Sequence, residues 1–388
     1  MLTEKLYYND CHLKTFIATV TGCEKVEKGW NITLSATAFY PEGGGQACDL
    51  GALGSAKVLD VREKGETIVH LCDAPLTVGE TVEGNIDWER RFDLMQQHTG
   101  EHIVSGLLHE KFGCHNVGFH IGADVMEVDF DCNPTPQELA EIEGRANEII
   151  WENLPVECGF PAAEELPGIP YRSKKALEWP VRIVKVPGAD TCACCGVHVK
   201  RTGEVGIIKI LSCVKFHQGV RLQMVCGGRA YRYLSAVYEQ AKQVSQAFSA
   251  KIPEIGAAAV RMNDALAAEK FRCAALQKQV FDSVAMDYVN HNNVLHFADD
   301  LNSGGVRELA DKIADAVTGF AAVFSGNDEE GYSYCLATRS GDLRELGKSM
   351  NTALSGRGGG KPEFQQGSVK AKKSEIETFF VECVNSNR

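Results

Sequence analysis

The hydrophobic pattern of this chain changes its period near residue 88, and that change constrains the fold more than any other feature. Between Thr15 and Ile86 the apolar residues come in short β-branched runs interrupted by glycine, asparagine and proline, a pattern that predicts strands. From Trp88 onward apolar residues recur at helical spacing, and this run ends at Gly113. The sequence therefore predicts a small β-barrel or sandwich, followed by a helix that opens a second domain.

Later segments show further changes of pattern. Thr135, Pro136 and Glu138 form a capping box that predicts a helix start. The strand-like runs VRIVKV, GEVGIIKILSCVKF and GVRLQMVCGG then complete an α+β sheet domain near residue 228. A helical stretch interrupted by Pro253 follows, and its apolar stripe suits either an intramolecular seam or a homodimer interface.

The predicted fold class is α+β and multidomain. We expect an N-terminal β-barrel over residues 1–88, an α+β domain over 89–228, a helical hairpin linker over 229–284 and a C-terminal α/β domain over 285–388. The possible sites of homodimer contact are the helical linker and the C-terminal domain.

Composition limits the class of protein. The 388 residues carry a net charge of -12 and are 44% hydrophobic, which excludes a disordered chain and argues against a general nucleic-acid coat. No apolar run is long enough to predict a membrane span. The fifteen cysteines lack the spacing of a secreted scaffold, and the N-terminus does not resemble a leader. We therefore expect a reduced, cytoplasmic protein without membrane partners.

Four residues in two distant pairs have the spacing of metal ligands. His98 and His102 are one helical turn apart, and Cys194 and His198 flank a glycine turn in CACCGVHV. Imidazole and thiolate are ligands that Zn²⁺ accepts in tetrahedral geometry. The set predicts a zinc site, in which Cys192 or Cys195 are alternative ligands, whereas two isolated polar histidines are the simpler interpretation of the helical pair.

Glu101 adds a second interpretation of the same helix. The sequence from His98 to His102 fits H-x-x-E-H, the pattern of inverzincin metallopeptidases, in which a glutamate acts as general base. This alternative needs a distant carboxylate as third ligand. Glu101 could equally be a solvated residue, or orient a ligand imidazole.

Two glycine-rich segments are candidates for ligand contact. Gly43, Gly44, Gly45 and Gln46 follow a strand in FYPEGGGQACDLG, where backbone can approach a ligand, although a wide hairpin loop explains them equally well. The second segment is SGRGGGKPEFQQGSV. It lies within residues 339–373, which hold eight lysines and arginines against three acidic residues. Its charge suits either a solvated face or phosphate binding.

Taken in order, the motifs resemble one family. AFYPEGGGQACDLG, IDWERRFDLMQQHTGEHIVSGLL, CACCGVHV, TGEVGIIKI and GVRLQMVCGG resemble the editing half of alanyl-tRNA synthetase, and GRGGGKPEFQQGS resembles its C-terminal domain. With no aminoacylation domain ahead of them, the chain is similar to the long, free-standing alanyl-tRNA editing proteins. The resemblance covers nearly the whole chain.

The resemblance implies a function and a set of site residues. The implied activity is ATP-independent hydrolysis of mischarged Ser-tRNA(Ala), with Gly-tRNA(Ala) as a further substrate, by a zinc-dependent deacylase that protects translation fidelity. The partner is therefore tRNA(Ala), and residues 89–228 are the editing domain. The implied metal ligands are His98, His102, Cys194 and His198, and the implied catalytic residues are His98, His102 and Glu101. The amino-acid pocket would be formed by Gly43, Gly44, Gly45, Gln46 and His120. The tRNA would be bound by Arg357, Gly358, Gly359, Gly360 and Lys361.

Two positions differ from the synthetase. Where the synthetase carries a glutamine after the ligand helix, this chain reads HNVGFHIG, so Gly118 or His120 is expected near the pocket wall. Position 197 is Val where the synthetase commonly has Thr. The resemblance therefore leaves the preference between serine and glycine open.

Overall fold

The structure is a computed structural model, and it describes residues 2–173 and 177–385. The chain divides into two compact units, Met1–Val244 and Ser245–Arg388. Among the described residues, none of the helices has the length and apolar character needed to cross a membrane.

The first unit begins with a six-stranded barrel. The elements of this region are β1 (Glu4–Lys5), α1 (Leu6–Asn9), β2 (Thr15–Val26), β3 (Gly29–Leu34), β4 (Ala36–Thr37), β5 (Gly51–Leu53), β6 (Ala56–Lys64), β7 (Thr67–Cys72) and β8 (Thr81–Ile86). Strands β1 and β4 pair with each other outside the barrel. Antiparallel pairing runs in the order β2-β3-β7-β6-β5-β8 and closes from β8 onto β2. Alternate residues point inward, as Phe16, Ala18 and Val20 do on β2, which is the period-2 pattern seen in the sequence.

A long helix, α2 (Trp88–Phe112), follows the barrel directly. The Asp87 side chain caps its N-terminus by accepting from the Arg90 backbone amide, and Gly113 ends it in the left-handed conformation. Both ends were predicted from the sequence, and both are confirmed. Arg91 ties the helix to the barrel, because its guanidinium donates to both carboxylate oxygens of the fully buried Asp49.

The α+β part of the first unit has two sheets around this helix. Its elements are β9 (Asn116–Ile121), β10 (Met126–Phe130), α3 (Pro136–Glu152), β11 (Glu157–Gly159), β12 (Ile183–Val186), β13 (Asp190–Ala193), β14 (Ile208–Phe216), β15 (Gly219–Cys226) and α4 (Gly227–Ala247). One sheet has the order β14-β15-β10-β9, and the other has the order β11-β12-β13. The predicted capping box of Thr135 and Glu138 is confirmed at the start of α3.

The second unit is a five-stranded sheet with helices. Its elements are α5 (Ile255–Met286), β16 (Val294–Ala298), α6 (Ser303–Ala316), β17 (Phe320–Asn327), β18 (Gly331–Thr338), α7 (Arg344–Ala353), β19 (Arg357–Lys361), β20 (Phe364–Val369) and α8 (Lys373–Asn385). The strand order is β16-β17-β18-β20-β19, with β16 and β17 parallel. Strand β17 is buried on both faces, because Ala321 and Val323 join one core while Ala322 and Phe324 join the other.

The glycine run is a strand, which the sequence pattern did not indicate. Residues Arg357–Lys361 form β19, pair with β20 and are exposed throughout. Because β19 lies at the edge of the sheet, its outer backbone groups face away from β20. Glycine is needed at position 360 because the backbone of the neighbouring strand lies close. A Cβ on Gly360 would come 2.1 Å from the Phe364 carbonyl oxygen.

Candidate metal centre

The four predicted ligands converge, although ninety residues of sequence separate the two pairs. The His198 ring centre lies 4.5 Å from that of His98 and 4.6 Å from that of His102. Cys194 Sγ lies 3.4 Å from His98 Nε2. One donor atom of each of the four residues lies within 4.8 Å of all the others. The helix and the turn therefore bring together a set that could hold a metal ion.

Each imidazole is oriented through its Nδ1 atom. His98 Nδ1 lies 2.8 Å from Gln46 Oε1, and His102 Nδ1 lies 3.0 Å from Asp190 Oδ2. His198 Nδ1 lies 3.2 Å from Thr99 Oγ1. Partners of this kind leave the Nε2 atom of each ring for a metal and fix the ring orientation.

The Nε2 atom of His198 gives an independent sign that the site suits a cation. This atom is buried, and it has no hydrogen-bond partner within the part of the chain that the structure describes. A buried polar atom without a partner is costly, and an ion bound by its lone pair would remove that cost. The three imidazoles and the thiol are also the donor types that divalent transition metals bind.

The turn that carries Cys194 is held by an arginine and requires a glycine. Arg182 Nη1 donates to the carbonyl oxygens of Cys194 and Gly196, at 2.9 Å and 2.7 Å. A Cβ on Gly196 would lie 2.1 Å from His98 Cε1. The turn can therefore approach the helix only with glycine at this position.

The electrostatics favour the metal-binding form at Cys194 and His198 but not at His102. Burial lowers the pKa of His102, but hydrogen bonds with Asp190 and Cys194 outweigh burial and raise this pKa well above that of an ordinary histidine. Burial opposes ionisation of the Cys194 thiol, but the neighbouring imidazoles, His98 first, outweigh it and hold its pKa well below the usual range. Burial, followed by the charge of His98, holds the pKa of His198 well below that of an ordinary histidine. Thiolate and neutral imidazole are the ligand forms.

Asp190 joins His102 to an arginine. Burial raises the pKa of this carboxyl, but hydrogen bonds from His102 and Arg172 outweigh burial and keep it below the usual value. Arg172 donates from Nε and Nη2 to the two carboxylate oxygens, at 2.7 Å and 2.8 Å. Cys192, which the sequence offered as an alternative ligand, lies with His102 and Asp190 in a second group of donor atoms.

The GGGQ motif forms a tight hairpin beside the ligands rather than a wide loop. The backbones of Gly43 and Gln46 pair with each other, and the two residues between them, Gly44 and Gly45, have φ of 59° and 84°. Two consecutive positive φ values identify the two-residue turn that glycine favours. The turn directs Gln46 inward, where it is 1% exposed.

A cavity of about 1030 Å³ opens over the candidate metal centre. Among its lining residues are Gly44, Gly45, His98, Glu101, His102, Phe119, Arg172, Arg182, Cys192 and Cys194. Its size suits a small organic ligand. The structure does not bring His120 to this cavity: His120 is exposed, and its neighbour Phe119 on β9 is among the described lining residues instead.

The basic residues of the predicted tRNA-binding segment lie in the second unit. A polar cavity of about 460 Å³ lies beside β19, with Arg344, Lys348 and Arg357 in its lining, together with the backbone at Gly358. Gly359, Gly360 and Lys361 continue the same exposed strand. The segment therefore presents positive charge beside open backbone.

Four residues of the site were not predicted from the sequence, namely Thr99, Arg172, Arg182 and Asp190. Asp190 is 88 residues from its partner His102, and no spacing rule connects them. Thr99 had the only local signal, because it lies beside His98 on the ligand helix. A buried carboxylate behind a ligand histidine is common in metal sites, but finding it needs coordinates.

Two segments of the sequence match models of known protein families. Residues 181–222 match the family described as "Threonyl and Alanyl tRNA synthetase second additional domain", and residues 2–90 match "tRNA synthetases class II (A)". The first match contains Cys194 and His198. Residues 181–222 are therefore similar to the second additional domain of threonyl- and alanyl-tRNA synthetases.

Individual relatives extend the similarity to the whole chain. The chain is 32% identical over 407 residues to an alanine--tRNA ligase of Thermofilum pendens, covering 98% of this chain and 44% of that protein. It is 27% identical to the alanyl-tRNA editing protein Aarsd1 of Danio rerio, covering 96% of each. The chain is thus similar over nearly its whole length to a protein named as an alanyl-tRNA editing protein, which confirms the predicted resemblance. It spans less than half the length of the ligase.

Among the solved structures that the chain matches is the C-Ala domain of the alanyl-tRNA synthetase of Aquifex aeolicus. It has a TM-score of 0.21 and 19% identity, and it covers 24% of this chain and 92% of that chain. At this score the likeness does not bear on the function.

Proposed function

We propose that the protein is an aminoacyl-tRNA deacylase that hydrolyses the ester between serine and tRNA(Ala), with glycyl-tRNA(Ala) as a second substrate. The observation that carries the proposal is the convergence of His98, His102, Cys194 and His198 at a cavity bordered by the GGGQ hairpin. Homologues named alanyl-tRNA editing proteins, similar over nearly their whole length, support it.

We further propose that the four donors hold zinc. Three imidazole nitrogens and one thiolate are a set that zinc binds in structural and catalytic sites. When bound, the ion supplies a Lewis acid that polarises an ester carbonyl. Four protein donors favour an ion that positions the substrate over one whose main task is to activate water.

The residues of this chain do the remaining work in the proposal. His98 and His102 hold the ion at the wall of the cavity, and Glu101 lines the same cavity. Gly44 and Gly45 let the hairpin backbone approach the ester, where amide groups stabilise negative charge on oxygen.

Recognition of tRNA is assigned to the second unit. Arg357 and Lys361 on β19, with the exposed glycine backbone between them, suit phosphate oxygens. The exposed apolar residues Leu266, Phe271 and Leu276 on α5 suit the predicted homodimer contact, which stays a prediction. A reducing, cytoplasmic location fits the thiols of the described residues, which are free.

Deacylation assays test the proposal. Purified protein should release serine from Ser-tRNA(Ala) much faster than it releases alanine from Ala-tRNA(Ala), because polar groups in the pocket would lack a partner when alanine binds. The variants Cys194→Ala and His102→Ala should lose this activity. Equal rates on the two tRNAs would remove the editing function.

Two other functions make different predictions. An inverzincin peptidase would cleave peptides and depend on Glu101, but it needs a carboxylate as third ligand, whereas the set holds a thiol and an imidazole. A tRNA-binding protein with structural zinc would bind tRNA without releasing serine, and chelation would unfold it. Peptide cleavage, or binding without turnover, would favour these alternatives.

A further inference from the structure

One carboxylate is buried in the wall of the cavity that holds the candidate metal centre. Glu101 lies on α2 between His98 and His102, and it is 5% exposed. Among the described residues that line the cavity, the other carboxylate is Glu178, which is exposed. Burying an acidic group is costly unless it has a specific partner, so the environment of Glu101 calls for an explanation.

The two oxygens of Glu101 have different surroundings. Oε1 accepts hydrogen bonds from the Ser105 hydroxyl and the Asn116 side-chain amide. These two donors lock the carboxylate in place. Oε2 lies 3.9 Å from His102 Nε2, one of the atoms that would hold the ion.

The two arginines among the described residues that line the cavity are already engaged elsewhere. Arg172 is paired with both oxygens of Asp190, and Arg182 donates to two carbonyl oxygens of the ligand turn. Within the described part of the chain, the ion-pair partner of Glu101 is His102, whose Nε2 lies 3.9 Å from Oε2, and Glu101 has no arginine or lysine partner there. Because His102 Nε2 is an atom that would bind the ion, Oε2 borders the site and can contact a cation that enters the cavity with the substrate.

An aminoacyl ester brings such a cation. Its α-ammonium group is attached to the carbon next to the ester carbonyl, whichever amino acid is carried. We propose that Glu101 Oε2 binds the α-ammonium group of the aminoacyl ester and thereby positions the carbonyl beside the donor atoms of His98, His102, Cys194 and His198. This inference rests on the proposed deacylase function, and it replaces a general-base role with a substrate-binding one.

The assignment has a consequence for specificity. A contact with the α-ammonium group distinguishes aminoacyl esters from other esters, but it is the same for serine, glycine and alanine. Discrimination among amino acids must then come from other walls of the cavity, such as the one formed by the hairpin and Phe119.

The experiment compares wild-type protein and Glu101→Gln on two substrates. Deamination of Ser-tRNA(Ala) with nitrous acid gives glyceroyl-tRNA(Ala), in which a hydroxyl replaces the α-ammonium group while the ester and side chain remain. Glu101→Gln should slow hydrolysis of Ser-tRNA(Ala) roughly ten- to hundredfold, as expected for the loss of a hydrogen bond to a charged group. The same substitution should change hydrolysis of glyceroyl-tRNA(Ala) by less than about threefold. This substrate has no ammonium group, so the contact that Glu101→Gln removes is already absent.

Glu110→Gln is the matched control, because it removes one negative charge from an exposed position on the same helix, and it should leave both rates unchanged. The metal content of each variant is measured alongside. Equal slowing of both substrates by Glu101→Gln would overturn the proposal and make Glu101 the acceptor of a proton from water.

A binding measurement separates this inference from the proposed function. Calorimetry measures the affinity for 3′-seryl-amido-3′-deoxyadenosine and its glyceroyl counterpart, which have no hydrolysable ester, so the measurement needs no turnover. The seryl amide should bind wild-type protein at least tenfold more tightly than the glyceroyl amide, and Glu101→Gln should remove the difference. Equal binding of the two amides to wild-type protein overturns the ammonium contact, whereas selective binding without hydrolysis of Ser-tRNA(Ala) overturns only the deacylase function.

Discussion

Gln46 shows how a single amide can fix the protonation pattern of a ligand. Its Oε1 accepts from the Val197 backbone amide at 3.3 Å and lies 2.8 Å from His98 Nδ1. Because a backbone N–H can only donate, this oxygen must face both partners, and His98 must carry its proton on Nδ1. The lone pair of His98 Nε2 is then free to bind an ion.

This geometry predicts that Gln46 supports metal binding. Gln46→Met removes the acceptor and should weaken metal affinity about 10- to 100-fold, the usual effect of losing such a partner. Competition with a chromogenic chelator measures the affinity. Gln46→Glu keeps an oxygen for both donors and should retain the metal. If Gln46 instead contacts only the amino acid, both variants will keep their metal and raise KM.

Gly196 allows a second prediction at the residue scale. In Gly196→Ala the new methyl would collide with the His98 ring, so the variant should lose its metal on dialysis against a chelator that leaves wild-type protein loaded. The matched control is Gly144→Ala on α3, where a Cβ meets nothing within 4 Å, and it should be neutral or stabilising by up to about 1 kcal/mol. Equal metal retention in both variants would contradict the steric argument.

At the scale of elements, the barrel contains a histidine that must stay neutral. His70 on β7 is fully buried, between Thr37 Oγ1 and the Ile32 carbonyl oxygen. Burial lowers its pKa to about 4. Below pH 6.5 the unfolded chain gains a proton that the folded barrel does not accept, so the free energy of unfolding falls as the pH falls from 6.5 towards 4.

The effect of this histidine on stability can be measured. Between pH 7.5 and pH 5, wild-type protein should lose about 2 kcal/mol more of its unfolding free energy than His70→Gln, which cannot titrate in this range. Urea unfolding at the two pH values gives the comparison. The argument fails if wild-type protein and variant lose the same amount.

The elements differed in how far the sequence could predict them. Helix α2 was predictable from end to end, because Asp87, the helical repeat and Gly113 are local signals. Strand β19 was not, because three consecutive glycines carry no hydrophobic pattern and their pairing partner β20 supplies the strand. The candidate ligands were predictable as two spaced pairs, but Asp190 and Arg182 act through contacts made only after folding.

At the scale of the whole molecule, the basic strand of the second unit is expected to supply affinity for tRNA. The chain carries a net charge of -12, so binding of a polyanion depends on local positive charge. The double variant Arg357→Gln, Lys361→Gln should bind tRNA(Ala) more weakly. The slope of log Kd against the logarithm of the salt concentration should fall by roughly 1.5 to 2.

Filter binding across a salt series measures this dependence. Lys278→Gln on α5 removes an exposed positive charge elsewhere in the same unit and serves as the control, with no change of slope. An unchanged slope in the double variant would show that β19 makes no phosphate contacts.

The hairpin that carries Gln46 emerges from the barrel, yet its amide is bonded to the ligand helix and to the backbone next to His198. A fragment that begins after residue 88 would keep all four donors and still lack the oxygen that orients one of them. The N-terminal barrel therefore contributes a residue that orients one donor of the candidate metal centre. Tight metal capture should report that the barrel and the α+β part have folded together, which makes it a convenient folding assay for shortened chains.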